Sequence, residues 1–138
     1  MEPSAARARF SEARVARLAT VRADRSPHLV PISFALEGDT LYTAVDHKPK
    51  RSRELQRLDN IAAHPAVCLL PDHYDEDWSQ LWWVRADGVA RIAEPGDAAH
   101  ARAVELLCAR YAQYRGAPAL GPAIVIDVTR FTGWSALR

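Results

Sequence analysis

Three short apolar segments in the first third of the chain, each separated from the next by a few turn residues, constrain the fold more than any other feature. Residues 17–22, 28–36 and 40–45 read as strands, and between them lie Asp24-Arg25-Ser26-Pro27 and Glu37-Gly38-Asp39. Gaps this short allow only hairpins, so the sheet that begins here is antiparallel. Pro31 has no amide proton to give a ladder, which places it at a sheet edge or against a ligand groove. A helix precedes these strands over 5–16, with Ser4 as its cap and Phe10 and Ala13 on one face. Leu55, Leu58 and Ile61 recur at helical spacing around 50–60. A short apolar strand at 66–70 and a longer one at 78–93, interrupted by Asp87-Gly88, come next. Asp97 then caps a helix to about Tyr114, with Ala101, Val104, Cys108 and Tyr111 as its apolar stripe. Residues 116–122 form a loop, and 123–131 a last strand that closes on Thr132-Gly133-Trp134. The pattern predicts a mainly β domain with flanking helices, a small six-stranded antiparallel barrel.

A chain of 138 residues supports one core and one domain, spanning 1–138. Every long apolar stretch is broken by Arg, Asp or Pro, so neither a signal peptide nor a membrane span is expected, and the chain reads as cytoplasmic. Cys68 and Cys108 sit in apolar segments without CxxC spacing, which favours buried free thiols over a disulfide or a metal site.

Positive charge is unevenly placed. Of 18 basic residues only two are lysines, and both fall in Asp46-His47-Lys48-Pro49-Lys50-Arg51-Ser52-Arg53. Between Lys48 and Arg57 the cations Lys48, Lys50, Arg51, Arg53 and Arg57 face one acid, Glu54, in a chain of net charge +1. Concentrated charge of this kind suits the phosphate or carboxylate of a small ligand, whereas nucleic acid calls for a broad basic face. Pro49 fits a first helical position, so the cations gather at a helix N-terminus. That is the unfavourable end of the macrodipole for them unless an anion sits among them. A solvated helix face carrying ordinary surface cations is the plain alternative.

Four tryptophans, Trp78, Trp82, Trp83 and Trp134, are many for a domain of this size. Neighbouring strand residues point to opposite faces, so at most one of Trp82 and Trp83 belongs to the core, and the other meets a subunit interface or a flat ligand unless it is simply half-buried. Trp134, close to the C-terminus, is expected to dock. The acidic loop Asp72-His73-Tyr74-Asp75-Glu76-Asp77 lacks calcium-loop spacing and offers one histidine, so no metal site is assigned. The chain contains no HExxH, no Gly-x-Ser-x-Gly, no GxGxxG and no GxxxxGK[ST]. An enzyme built this way would rely on a bound cofactor for its chemistry, and no side chain is assigned as a catalytic acid or base.

The segments Ala19-Thr20-Val21, His28-Leu29-Val30-Pro31-Ile32, Ala44-Val45-Asp46-His47-Lys48-Pro49-Lys50, Asp72 to Trp78, Leu81-Trp82-Trp83-Val84-Arg85 and Phe131-Thr132-Gly133-Trp134 resemble the pyridoxamine 5′-phosphate oxidase-like split-barrel superfamily. More narrowly, they resemble its short oxidoreductases that use the 5-deazaflavin coenzyme F-420. The resemblance covers nearly the whole chain in order. It implies an FMN-binding split barrel, a homodimer with cofactor sites across the interface, and hydride transfer from the reduced deazaflavin to a small electron-poor acceptor. Flavin mononucleotide (FMN) is the alternative cofactor, and a non-catalytic flavin- or haem-binding protein the alternative role. On this resemblance the cofactor ring lies against the backbone of Val30, Pro31, Ile32 and Ser33. Thr43, Lys48, Lys50, Arg51 and Arg57 meet its phosphate and tail, and Trp82 or Trp83 together with Trp134 encloses the ring, partly from the other subunit. Neither nucleic acid nor membrane is an expected partner.

Overall fold

The computed structural model describes residues 1–45, 52–115 and 121–137. Helix α1 (Pro3–Glu12) opens the chain. Pro3 takes the first helical turn, where its missing amide costs nothing, and Glu2 occupies the cap position, so Ser4 lies inside the helix and does not cap it. Ala6 and Phe10 are the residues this helix buries.

Eight strands follow: β1 (Ala16–Val21), β2 (Pro27–Ile32), β3 (Ala35–Glu37), β4 (Thr40–Ala44), β5 (Ala66–Leu70), β6 (Asp72–His73), β7 (Trp82–Ala93) and β8 (Ala123–Ser135). Between them lie α2 (Ser52–Ala63), α3 (Ala98–Arg110) and the single turn α4 (Ala112–Arg115). All pairs are antiparallel, in the order β2-β1-β5-β7-β8-β4-β3, with β6 paired to the start of β7. The two ends of that path, β2 and β3, are joined through Ser33 and Phe34 alone. So short a link forces the first and last strands together and curls the sheet into a barrel that stays unpaired, or split, along this seam.

The expected strand at 28–36 is therefore two strands. Its first half pairs with β1 and its second with β4, and the break falls where the chain crosses the seam. This break and the short β6 account for eight strands where six were expected. Gly38 opens the two-residue loop of the β3–β4 hairpin at φ 62°, a left-handed conformation that glycine adopts without strain. Asp87-Gly88 proves to be a bulge inside one continuous strand. The register of β7 against β8 shifts there, leaving Thr129 as the extra residue, with its hydroxyl donating to the Asp87 carbonyl at 3.0 Å. A Cβ on Gly88 would stand 2.6 Å from the Asp127 carbonyl oxygen, so only glycine fits this crossing.

Four further expectations are corrected. The long strand begins at Trp82, because Trp78–Gln80 forms a 3-10 turn whose N-terminal Asp77 accepts the Ser79 amide at 3.1 Å. The last strand runs on through Trp134. Asp97 stands at the N-terminus of α3, but its carboxylate accepts the Glu94 amide at 2.9 Å and holds the preceding turn instead of capping the helix. Finally, α3 ends at Arg110 and buries His100, Ala103 and Leu107; Ala101 lies on its exposed side. Among the described residues no helix is long and apolar enough to cross a membrane.

The core fills the barrel. Phe10 of α1 contacts Phe34 at the seam and Phe131 of β8, with ring centroids 5.0 and 5.7 Å apart. Leu18, Leu41, Leu69, Val84, Ile124 and Ile126 complete the interior, and Leu58 and Ile61 bring α2 onto it.

The seam is held from one side by the end of α3. The Tyr111 hydroxyl accepts the Phe34 amide at 3.1 Å and lies 2.9 Å from both the Phe34 and the Arg14 carbonyl oxygens, to which its single proton is donated. Arg110 donates to the Phe34 carbonyl at 2.8 Å, to the Ser11 carbonyl at 3.0 Å and to the Ala13 carbonyl. Burial pushes its guanidinium below the ordinary arginine value. Removing the Tyr111 hydroxyl leaves a buried amide without its acceptor, so Tyr111→Phe is expected to lower the unfolding free energy by about 1–3 kcal/mol. Urea denaturation checks this, and an unchanged midpoint would show that the corner does not depend on it.

Candidate functional site

A groove of about 130 Å³ opens along the seam. One wall is the C-terminal end of β2 and the corner (Pro31, Ile32, Ser33), and the facing wall is the end of β4 (Thr43, Ala44). Arg57 from α2 and Tyr114 from α4 reach in over the ends. Because β2, like β3, ends the sheet path, its outer backbone edge is unpaired among the described residues and can meet a ligand. Pro31 is exposed there, as a residue that cannot donate to a ladder should be.

The local chemistry fixes each wall. Thr43 is 3 % exposed and its hydroxyl donates to the Ser33 carbonyl at 2.8 Å, so its one proton is committed to closing the corner. The Ser33 hydroxyl lies 2.9 Å from that of Tyr114. Helix α2 is set on the barrel by a buried polar chain in which Gln56 donates to Asn60 at 2.8 Å and Asn60 donates to Thr20 at 2.9 Å. Asn60 and Thr20 are 1 % and 2 % exposed, so breaking either bond leaves an unsatisfied buried group, and the turn of α2 that carries Arg57 is held firmly over the groove.

Five expected residues, Pro31, Ile32, Ser33, Thr43 and Arg57, thus meet at one place. Val30 lies next to them with its side chain packed on the core, as does the buried Ile32, so both offer a ligand backbone more than side chain. Lys48, Lys50 and Arg51 lie outside the described residues. The indoles are elsewhere. Trp82 packs against the core with the Arg9 guanidinium 4.8 Å above its ring and His73 stacked at 6.5 Å. Trp83 points to the other face, directly opposite Trp134, with Arg85 5.7 Å from its ring. Neither indole is among the residues that line the groove of its own chain. Ala44 and Tyr114 belong to the groove and were not expected there. Ala44 follows from strand pairing with Ala123, and Tyr114 from the break after Arg110, which no sequence pattern marks. In the acidic loop Asp77 binds the Ser79 hydroxyl at 2.7 Å and Asp75 lies 3.7 Å from His73. Among the described residues no three His, Cys, Asp or Glu side chains are grouped to hold a metal ion.

The sequence model of the family described as pyridoxamine 5′-phosphate oxidase matches residues 3–135, and the chain belongs to that family. No curated protein sequence matches it. Its fold is shared with several solved structures. A conserved hypothetical protein from Mycobacterium tuberculosis superposes with a TM-score of 0.78 at 22% identity, over 99% of this chain and 86% of that one. A FAD-binding protein from Mesorhizobium loti gives 0.72 at 18% identity, over 96% and 92%. A heme storage protein from Vibrio cholerae gives 0.71 at 16% identity, over 98% and 95%. At these identities the likeness establishes the split-barrel fold.

His28, paired with Thr20 across the β1–β2 hairpin, has its Nδ1 buried without a hydrogen-bond partner among the described residues. Burial first, and then the Arg22 and Arg57 cations, push its imidazole below the ordinary histidine value. A lowered folded value means that the unfolded chain takes up the proton first as pH falls. Stability is therefore full above about pH 6.5 and declines below it. His28→Gln is expected to flatten that decline when unfolding free energy is measured from pH 7.5 to 5.5. An identical slope in both proteins would sink the assignment.

Proposed function

We propose that this chain is a subunit of an oxidoreductase that holds a flavin-type tricyclic cofactor in the seam groove, with coenzyme F-420 preferred over FMN, and serves a small electron-poor acceptor. The observation that carries this reading is the meeting of an unpaired strand edge, Pro31 to Ser33, with the Arg57 cation in one groove. A strand edge offers donors and acceptors in one plane, which suits the heteroatoms of a flat ring, and a half-buried guanidinium suits an anionic tail. Membership of the family and the FAD-binding protein among its structural relatives support it.

The residues fit such a group in part. At about 130 Å³ the groove is smaller than the roughly 300–1,000 Å³ of sites that enclose a cofactor-sized ligand, so its two walls cover only part of such a group. The remaining cover is assigned to a second copy. Trp83 and Trp134 stand opposite each other on an outward face, and Trp134 is 45% exposed, an aromatic surface suited to an interface. When bound, a reduced deazaflavin or flavin supplies a hydride. The chain's own part is to hold the ring edge on the backbone of Pro31 to Ser33 and to neutralise the tail with Arg57. The further cations Lys48, Lys50 and Arg51 precede α2 in sequence and favour a tail with several anionic groups, as F-420 has, over the single phosphate of FMN.

Titration of the cofactor-free protein with F-420 and with FMN tests the reading, with tighter binding of F-420 expected. Preference for FMN would overturn the cofactor, and binding of haem with neither flavin would overturn the enzyme. Replacing Lys48 and Lys50 together by alanine is expected to weaken F-420 binding by at least about 2 kcal/mol. An unchanged dissociation constant would remove that segment from the site. Trp83→Ala is expected to weaken both self-association and cofactor binding, as read by analytical ultracentrifugation and the same titration, and a variant unaltered in both would count against the shared site.

A further inference from the structure

A second cavity, of about 430 Å³, lies against the seam groove and is lined by Arg14, Val15, Ser33, Tyr111, Gln113 and Tyr114. Ser33 and Tyr114, whose hydroxyls lie 2.9 Å apart, belong to both cavities. A molecule in the second cavity would therefore share lining residues with whatever occupies the groove.

Its lining is specific in character. The Arg14 guanidinium sits 4.7 Å over the Tyr111 ring, and one of its terminal nitrogens donates to the Arg110 carbonyl at 3.0 Å. Tyr111 and Tyr114 meet edge to face, with centroids 5.8 Å apart and planes at 84°. Around this place the arginines hold carbonyls and not carboxylates. Arg110 and Arg115 donate to backbone oxygens, and among the described residues Arg14, Arg110 and Arg115 have no acid within ion-pairing distance. Elsewhere Arg7, Arg17, Arg91 and Arg102 each have an acid partner. The cavity is thus walled by two phenol rings and bordered by positive charge that the protein leaves uncompensated. A guanidinium stacked on an aromatic ring is held in place, and its unused N–H groups are arranged to take a carboxylate.

We propose that this cavity binds a small planar carboxylate, an aromatic or conjugated acid whose ring packs on Tyr114 and whose carboxylate meets Arg14. The assignment of such an acid as the acceptor of the reaction rests on the function proposed above; its binding does not.

The test is equilibrium binding of 4-nitrobenzoate and of its neutral analogue 4-nitrobenzamide to the purified cofactor-free protein, followed by fluorescence. The acid is expected to bind about tenfold more tightly than the amide, as one charge-assisted contact provides. Arg14→Leu is expected to abolish the preference and Arg14→Lys to retain most of it. Equal affinity for acid and amide, no binding of either, or an unchanged preference in Arg14→Leu would overturn the proposal. Arg14 also touches the corner, so thermal unfolding of each variant is measured alongside. Should Arg14→Leu not fold, Gln113→Trp, at an exposed rim position, is expected to block the cavity, and undiminished nitrobenzoate binding in it would overturn the proposal equally. Nitrobenzoate binding without affinity for F-420 or FMN would sink the proposed function and leave the cavity standing, and the reverse result would do the opposite.

Discussion

The hydrogen bonds that hold Ser33 and Phe34 are the constraint on which the rest of the molecule depends. At this corner the chain leaves one end of the sheet path and enters the other, and it cannot satisfy its backbone in a ladder while doing so. The Phe34 amide and carbonyl are taken by the Tyr111 hydroxyl and Arg110, and the Ser33 carbonyl by Thr43. A buried backbone group left without a partner costs as much as several ordinary contacts supply, so these side chains make the crossing possible. They also tie α1, α3 and β4 to one point, since Arg110 reaches the carbonyls at the end of α1 and Phe34 packs on Phe10.

The groove is a by-product of the same geometry. A closed barrel has no free strand edge; this one keeps an edge because the crossing holds β2 and β3 together without pairing them. Donors and acceptors along that edge are therefore fixed in position by the corner and do not require a flexible loop. Arg57 is placed with similar firmness by the buried Asn60–Thr20 pair. Polar groups that are expensive to bury are concentrated where the protein needs rigid geometry, whereas the charge pairs on the outer surface, such as Arg91 with Asp127, are exposed and of small energetic consequence.

Much of this was legible in the sequence. Turn residues at 24–27 and 37–39 bounded the strands, Pro31 marked the sheet edge, and the Leu58 and Ile61 spacing marked the buried face of α2. What was missed shares one cause. The break at Ser33-Phe34 lies inside an apolar run whose local propensity is for strand throughout, and only the competition between β1 and β4 for its two halves divides it. The bulge at Gly88 was read as an interruption because a glycine in a strand looks the same whether it ends the strand or lets Asp127 cross close by. The stripe of α3 was displaced because Leu107 and Cys108 are both apolar and spacing does not choose between them.

The sequence by itself determined what depends on neighbours along the chain: hairpins, antiparallel pairing, the helices, and the concentration of cations before and within α2. Local sterics and turn chemistry act over a few residues, so a reader of the chain can follow them. Only the tertiary structure decided which strand edge stays unpaired, that Ser33 and Tyr114 belong to two cavities, and that Trp83 and Trp134 do not line the groove of their own chain. Those outcomes depend on contacts between residues far apart along the chain, such as Arg110 with Ser11 and Phe10 with Phe131. No local pattern encodes such a contact; it exists because the curled sheet brings the two ends of its own strand order to one corner.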